Sequence, residues 1–121
     1  MNKQNKKTNP NLVELIDQLK EKSRETGSAL WRDVAIRLSK SRKNWAQPNL
    51  SRLSRYAPEG AIVLIPGKLL GSGEVEGSPI VAAYSASEGA RDKIIAAGGK
   101  YLSLNDLMTE NPEGKGVIIL G

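Results

Sequence analysis

The chain has 121 residues, the size of one globular domain, with 39% hydrophobic and 4% aromatic residues and no Phe, so its core must be built from Ile, Leu, Val and Ala. It contains no His and no Cys, which excludes imidazole and thiolate metal ligation, cysteine nucleophiles, an imidazole general base, haem or iron–sulfur ligation through those groups, and disulfides. With 18 Lys and Arg against 13 Asp and Glu the net charge is +5, so polyanions are the first partners to consider.

The charge is unevenly placed. Residues 1–56 hold 13 basic and 5 acidic side chains, a net of +8, whereas residues 57–121 hold 5 and 8, a net of −3. No acid occurs between Asp33 and Glu59, a stretch that carries Arg37, Lys40, Arg42, Lys43, Arg52 and Arg55 and repels itself unless an anion lies against it. The segment 1–9 reads as a basic tail with Lys3, Lys6 and Lys7 and no apolar stretch behind it, unlike a secretory signal. The longest apolar runs, Ala61 to Ile65 and Ile80 to Tyr84, have five residues, far below the about 20 that span a bilayer, so no membrane association is expected.

Asn9 can cap a first helix, for which Pro10 suits the first position; Leu12, Leu15, Ile16 and Leu19 form one apolar stripe, and Gly27 ends it. A second helix from about Ser28 to Lys40 turns Leu30, Trp31, Val34, Ala35 and Leu38 inward and Arg32, Arg37 and Lys40 outward. Periodicity fails from Ser41 to Pro48, which predicts a loop ordered only if a partner holds it. Asn49 caps a short helix with Leu50, Leu53 and Ala57 inward and Arg52, Arg55 and Tyr56 outward. Pro58-Glu59-Gly60 marks a turn, dividing a basic helical part (10–57) from a mixed α/β part (58–121) within one domain.

In the second part the two apolar runs read as strands buried on both faces, joined through the glycine-rich Pro66–Gly73 segment. Ser85-Ala86-Ser87-Glu88 has capping-box spacing and starts a helix through Ile94 and Ile95 that stops at Gly98-Gly99. Tyr101-Leu102 is a third strand, Ser103 and Asp106 cap a short helix, and Val117 to Leu120 closes the chain as a strand. The alternating units are too short for a Rossmann half, which favours a compact α+β arrangement.

Chemistry concentrates in the acid-free segment with Trp45 and Tyr56 interleaved. Cations neutralise phosphates, and an aromatic ring or guanidinium plane stacks on an unpaired base, so the mixture suits folded RNA with loops; the competing reading is a solvated basic face. Trp31, on an apolar helix face, reads as core, whereas Trp45, in a polar loop, fits either role. The segment Gly67-Lys68-Leu69-Leu70-Gly71-Ser72-Gly73 lacks the spacing of a P-loop or dinucleotide fingerprint, and its glycines read as turn residues with positive φ. Glu74 with Glu76, taken as a strand pair, and Glu88 with Asp92 are acidic pairs common on plain surfaces, and Ser72 with Lys68 lacks a third group to orient it; no catalytic residue, metal or cofactor is expected.

The blocks Asn49-Leu50-Ser51-Arg52-Leu53, Ile65-Pro66-Gly67-Lys68-Leu69-Leu70-Gly71-Ser72-Gly73 and Asn111-Pro112-Glu113-Gly114-Lys115-Gly116-Val117 resemble the archaeal and eukaryotic large-subunit ribosomal protein eighteen-e family, related to large-subunit ribosomal protein fifteen. The resemblance runs in one register from about Asn11 to the C-terminus, and the Pro-Gly-Lys block is its most specific part. It implies a cytoplasmic structural constituent of the large subunit that binds large-subunit rRNA without catalysis, beside neighbouring ribosomal proteins and without homo-oligomers; the short length is similar to archaeal members. It also implies a fold of basic N-terminal helices followed by an irregular β-β-α superhelix. The candidate RNA-binding residues are Arg32, Arg37, Lys40, Arg42, Lys43, Trp45, Arg52, Arg55, Lys68 and Ser72. Among the cations only Arg52 and Lys68 fall inside the motif blocks; the others rest on charge. Residues 28–56 are expected to face rRNA and much of 74–113 solvent or protein neighbours. A free DNA- or RNA-binding regulator is the alternative.

Overall fold

A computed structural model of the chain describes residues 10–58 and 60–121; the expected basic tail and the Asn9 cap lie outside them. The architecture is α+β, with N-terminal helices leading into β/α elements. In chain order these are α1 (Pro10–Thr26), α2 (Ala29–Leu38), a 3-10 turn (Arg42–Asn44), α3 (Leu50–Tyr56), β1 (Ile62–Leu69), β2 (Ile80–Ala86), α4 (Glu88–Ala96), β3 (Lys100–Ser103), α5 (Leu104–Glu110) and β4 (Val117–Ile119). The strands form one sheet of order β3-β2-β1-β4, and every pairing is parallel.

A parallel sheet must be covered on both faces, and the alternation along each strand divides the core accordingly. Leu64, Ala82 and Leu102, with Ile62, Ile80 and Tyr84, face α1, α2 and α5. Val63, Ile65, Val81 and Ala83 face α3 through Leu50 and Leu53, and α4 through Ala90 and Ile94. Leu15 and Leu19 of the α1 stripe are buried, with Leu12 and Ile16 partly so, against α2. Trp31 is fully buried, and its indole N–H donates to the Pro112 carbonyl at 2.7 Å, tying α2 to the turn after α5. Tyr101 packs on the second face, where burial raises its phenol above the usual 10.0 and the nearby Arg91 guanidinium pulls the other way.

Three local expectations change. The β1 strand does not stop at Ile65 but continues through Pro66-Gly67-Lys68 to Leu69. It can do so because the register with β2 slips there: Ile65 lies opposite Ala83 and Lys68 opposite Ser85, so Pro66 and Gly67 share the place facing Tyr84 and the missing proline N–H falls at a bulge. Helix α4 is capped by Ser87, whose hydroxyl accepts from Ala90 N–H at 3.2 Å, so Glu88 is the first residue of the helix and not the partner of a Ser85 capping box. Glu74 and Glu76 lie in the loop between β1 and β2, not on a strand. The caps expected at Asn49 and Ser103 form, accepting from Arg52 N–H at 3.1 Å and Asp106 N–H at 3.0 Å.

Candidate nucleic-acid interface

The basic segment 40–49 is held by the protein itself. Strand β4 pairs with β1 only over Ile62 to Leu64; beyond that, Leu120 N–H reaches the Leu64 carbonyl and residues 46–49 take over the same edge. Lys68 N–H donates to the Ala46 carbonyl at 3.0 Å and Leu70 N–H to the Pro48 carbonyl at 2.9 Å, making parallel bridges Ala46 to Gly67 and Asn49 to Leu70. The approach at Gly67 is so close that a Cβ there would overlap the Ala46 carbonyl oxygen and meet the Ala46 carbonyl carbon at 3.0 Å. Gly67 therefore serves close backbone passage, not a left-handed turn; in the block only Gly73, at φ 100°, has the positive φ expected from sequence.

Trp45 pins the outer part of this loop. Its indole N–H donates to the Lys40 carbonyl at 3.0 Å, its ring meets Tyr84 edge-on at a centroid distance of 5.1 Å, and the Arg42 guanidinium lies over it at 4.9 Å. Trp45 is half-buried while Arg42 and Lys43 are exposed, so the ring supports the Arg42 guanidinium from beneath. Tyr84 was not picked out in the sequence; its only signal there is that it ends an apolar run.

Two further candidates, Lys68 and Ser72, lie at the carboxyl end of β1 and beside the opening of α3. Lys68 is exposed on the strand next to the docked loop, and Ser72 is exposed four residues further on, where its carbonyl accepts from the Leu50 and Ser51 N–H groups at 3.0 and 3.3 Å. Those donors open α3, which presents Arg52 and Arg55 outward, Arg52 lying 5.8 Å from the Tyr56 ring. Arg37 is half-buried and engaged by Asp33 at 2.9 Å, while Arg32 is exposed on α2 and Lys40 is exposed just past its C-terminus. Among the described residues no carboxylate lies within 4.0 Å of Arg32, Lys40, Arg42, Lys43, Arg52, Arg55 or Lys68. By contrast Lys93, Lys100 and Lys115 in the second half all have acidic partners.

In open parallel sheets small ligands bind beyond the carboxyl ends of the strands, where the strand order reverses. Here that place, between β1 and β4, is filled by residues 46–49. A cleft of about 520 Å³ opens instead at the amino ends of β1 and β2, between Ala57, Gly60 and Ala61 on one side and Gly77 to Pro79 on the other. Arg42, Lys43, Arg52, Arg55 and Lys68 thus carry positive charge on exposed side chains with no carboxylate partner among the described residues, which suits an extended polyanion better than a small phosphate ester. Among the described residues no group of three or more acidic side chains is placed to hold a metal ion, and no helix is long and apolar enough to cross a membrane.

The sequence is similar along its whole length to a known group of proteins. Residues 1–121 match the family model described as "Ribosomal protein 60S L18 and 50S L18e". The chain is 48% identical over 120 residues to the Large ribosomal subunit protein eL18 of Methanospirillum hungatei, covering 99% of both chains. It is 46% identical over 113 residues to the protein of that name from Methanococcus maripaludis, covering 93% of this chain and 94% of the relative, and 47% identical over 115 residues to that of Picrophilus torridus, covering 95% and 94%. The chain therefore belongs to the ribosomal protein L18 and L18e family.

Proposed function

We propose that the chain is a structural constituent of the archaeal large ribosomal subunit, acting in the cytoplasm as a single domain that binds and stabilises large-subunit rRNA during translation. Family membership supports the ribosomal role, and the observation that supports the rRNA-facing surface is the set of exposed cations, Arg42, Lys43, Arg52, Arg55 and Lys68, that have no carboxylate partner among the described residues. Arg42, Lys43, Arg52, Arg55 and Lys68 meet phosphates, with Arg32 and Arg37 on α2 and Lys40 just beyond it extending the contact. Trp45 holds the loop that carries Arg42, and Ser72 offers its hydroxyl beside the opening of α3. Phosphate contacts of this kind fix register and orientation, whereas sequence is read where RNA bases are unstacked. The role needs no catalysis and no cofactor. Partners are rRNA and neighbouring ribosomal proteins, the latter against the more acidic second half, and no homo-oligomer is required.

A sucrose-gradient run tests the proposal. The tagged chain sediments with the large subunit and stays there through washes at moderate salt. Recovery only at the top of the gradient, together with specific binding to duplex DNA, would replace the ribosomal role with that of a free regulator.

A further inference from the structure

Lys93 lies outside the cationic set, on α4, and its ammonium is turned toward the protein's own backbone. Its Nζ donates to the Gly71 carbonyl at 3.1 Å and the Gly73 carbonyl at 2.8 Å, with a Glu74 carboxylate oxygen at 3.9 Å. Between the two captured carbonyls stands Ser72, whose own carbonyl accepts from the first two N–H groups of α3 at 3.0 and 3.3 Å. The same loop meets α3 again further along: Ser54 Oγ donates to the Glu74 carbonyl at 3.0 Å and accepts from Glu76 N–H at 3.2 Å. Gly73 passes so close that a Cβ would collide with Ser51.

Helix α3 has only seven residues. A helix so short has no stability of its own and takes its place from what it packs on. One wall of its seat is the 71–76 loop, and Lys93 holds that loop from the far side through two charge-assisted hydrogen bonds. The outward side of α3 carries Arg52 and Arg55. We propose that Lys93 is a positioning residue for the RNA-binding face: without touching RNA, it fixes the 71–76 loop and so the direction in which Arg52 and Arg55 point. The proposal rests on the rRNA-binding reading above.

Filter binding of the full chain to large-subunit rRNA transcribed in vitro, read beside amide hydrogen exchange, tests it. Lys93→Met weakens binding about tenfold, the scale of one or two lost charge-assisted hydrogen bonds, and speeds exchange at the Leu50 and Ser51 amides. Lys93→Arg, which can still donate to both carbonyls, restores most of both. In an Arg52→Gln, Arg55→Gln background Lys93→Met costs no further affinity, because the side chains it places are gone. Wild-type affinity for Lys93→Met overturns the proposal. An undiminished loss in the doubly substituted background does so too, since Lys93 would then meet phosphate itself. If Lys93→Met does not fold, Lys93→Gln read against Lys93→Arg decides in the same way. Failure of the wild-type chain to bind rRNA counts against the rRNA reading, and the exchange rates then judge Lys93's hold on α3 alone.

Discussion

Replacing Gly67 by Ala tests how the basic loop is held. The new methyl overlaps the Ala46 carbonyl oxygen, so either β1 bends away or residues 46–49 leave the edge. Both movements break the bonds from Lys68 N–H to Ala46 O at 3.0 Å and from Leu70 N–H to Pro48 O at 2.9 Å. Two such bonds contribute about 1–3 kcal/mol net, and overpacking at a buried position costs about 1–3 kcal/mol where the loop cannot fully escape. A loss of about 2–6 kcal/mol from a domain stable by about 5–15 kcal/mol lowers Tm by roughly 8–24 °C, at about 4 °C per kcal/mol for this size. Gly89→Ala is the matched control: Gly89 is an exposed position of α4 with open space around its Cα, and the change is neutral to stabilising by about 0.5–1 kcal/mol. Differential scanning calorimetry gives the Tm, and amide exchange at Lys68 and Leu70 locates the damage. An unchanged Tm with both amides still protected would refute the docking argument.

Further outcomes follow from the same contacts. Ser87→Ala costs about 1 kcal/mol in urea unfolding because it removes the α4 cap, while Ser85→Ala stays within about 0.5 kcal/mol; the reverse order would restore the capping box read from sequence. Trp31→Phe costs about 1–3 kcal/mol, because the Pro112 carbonyl loses its indole donor in a packed site, and equal stability would show that bond to be idle. Burial raises the Tyr101 phenol above 10.0, so its contribution to stability is complete below the unfolded value and is lost as pH rises through the folded one. The Tyr101 ring carbon, followed by NMR against pH, titrates above 10.0, and Tyr101→Phe flattens part of the alkaline fall in stability; a midpoint at or below 10.0 contradicts this.

Local signals in the sequence carried far. The stripes of α1 and α2 were legible because 3.6-residue periodicity survives wherever one helix face is buried, and Asn49 and Ser103 announced their helices because caps act within three residues. The second half of β1 was not legible: Pro66-Gly67 is a breaker in any local reading, and only the bulge opposite Tyr84 together with the arrival of Ala46 on the other edge makes it strand. The 41–48 loop failed for the same reason, since its partner lies about twenty residues away and is met through backbone groups that carry no residue signature. At the candidate interface charge alone marked Arg42, Lys43 and Arg55, while Arg52 also lies inside a block of family resemblance. Nothing local could show that Tyr84 buttresses Trp45 or that Lys93, one cation among many, spends its charge on two carbonyls.

The claim that these unpaired cations meet rRNA phosphates is tested most directly by the salt dependence of binding. Each contact contributes about 0.9 to the log–log slope on duplex and about 0.7 on single strands. Changing Arg42, Lys43, Arg52 and Arg55 together to Gln therefore flattens the slope by about three and weakens binding by orders of magnitude at low salt. A quadruple variant that keeps the wild-type slope and affinity would contradict the account.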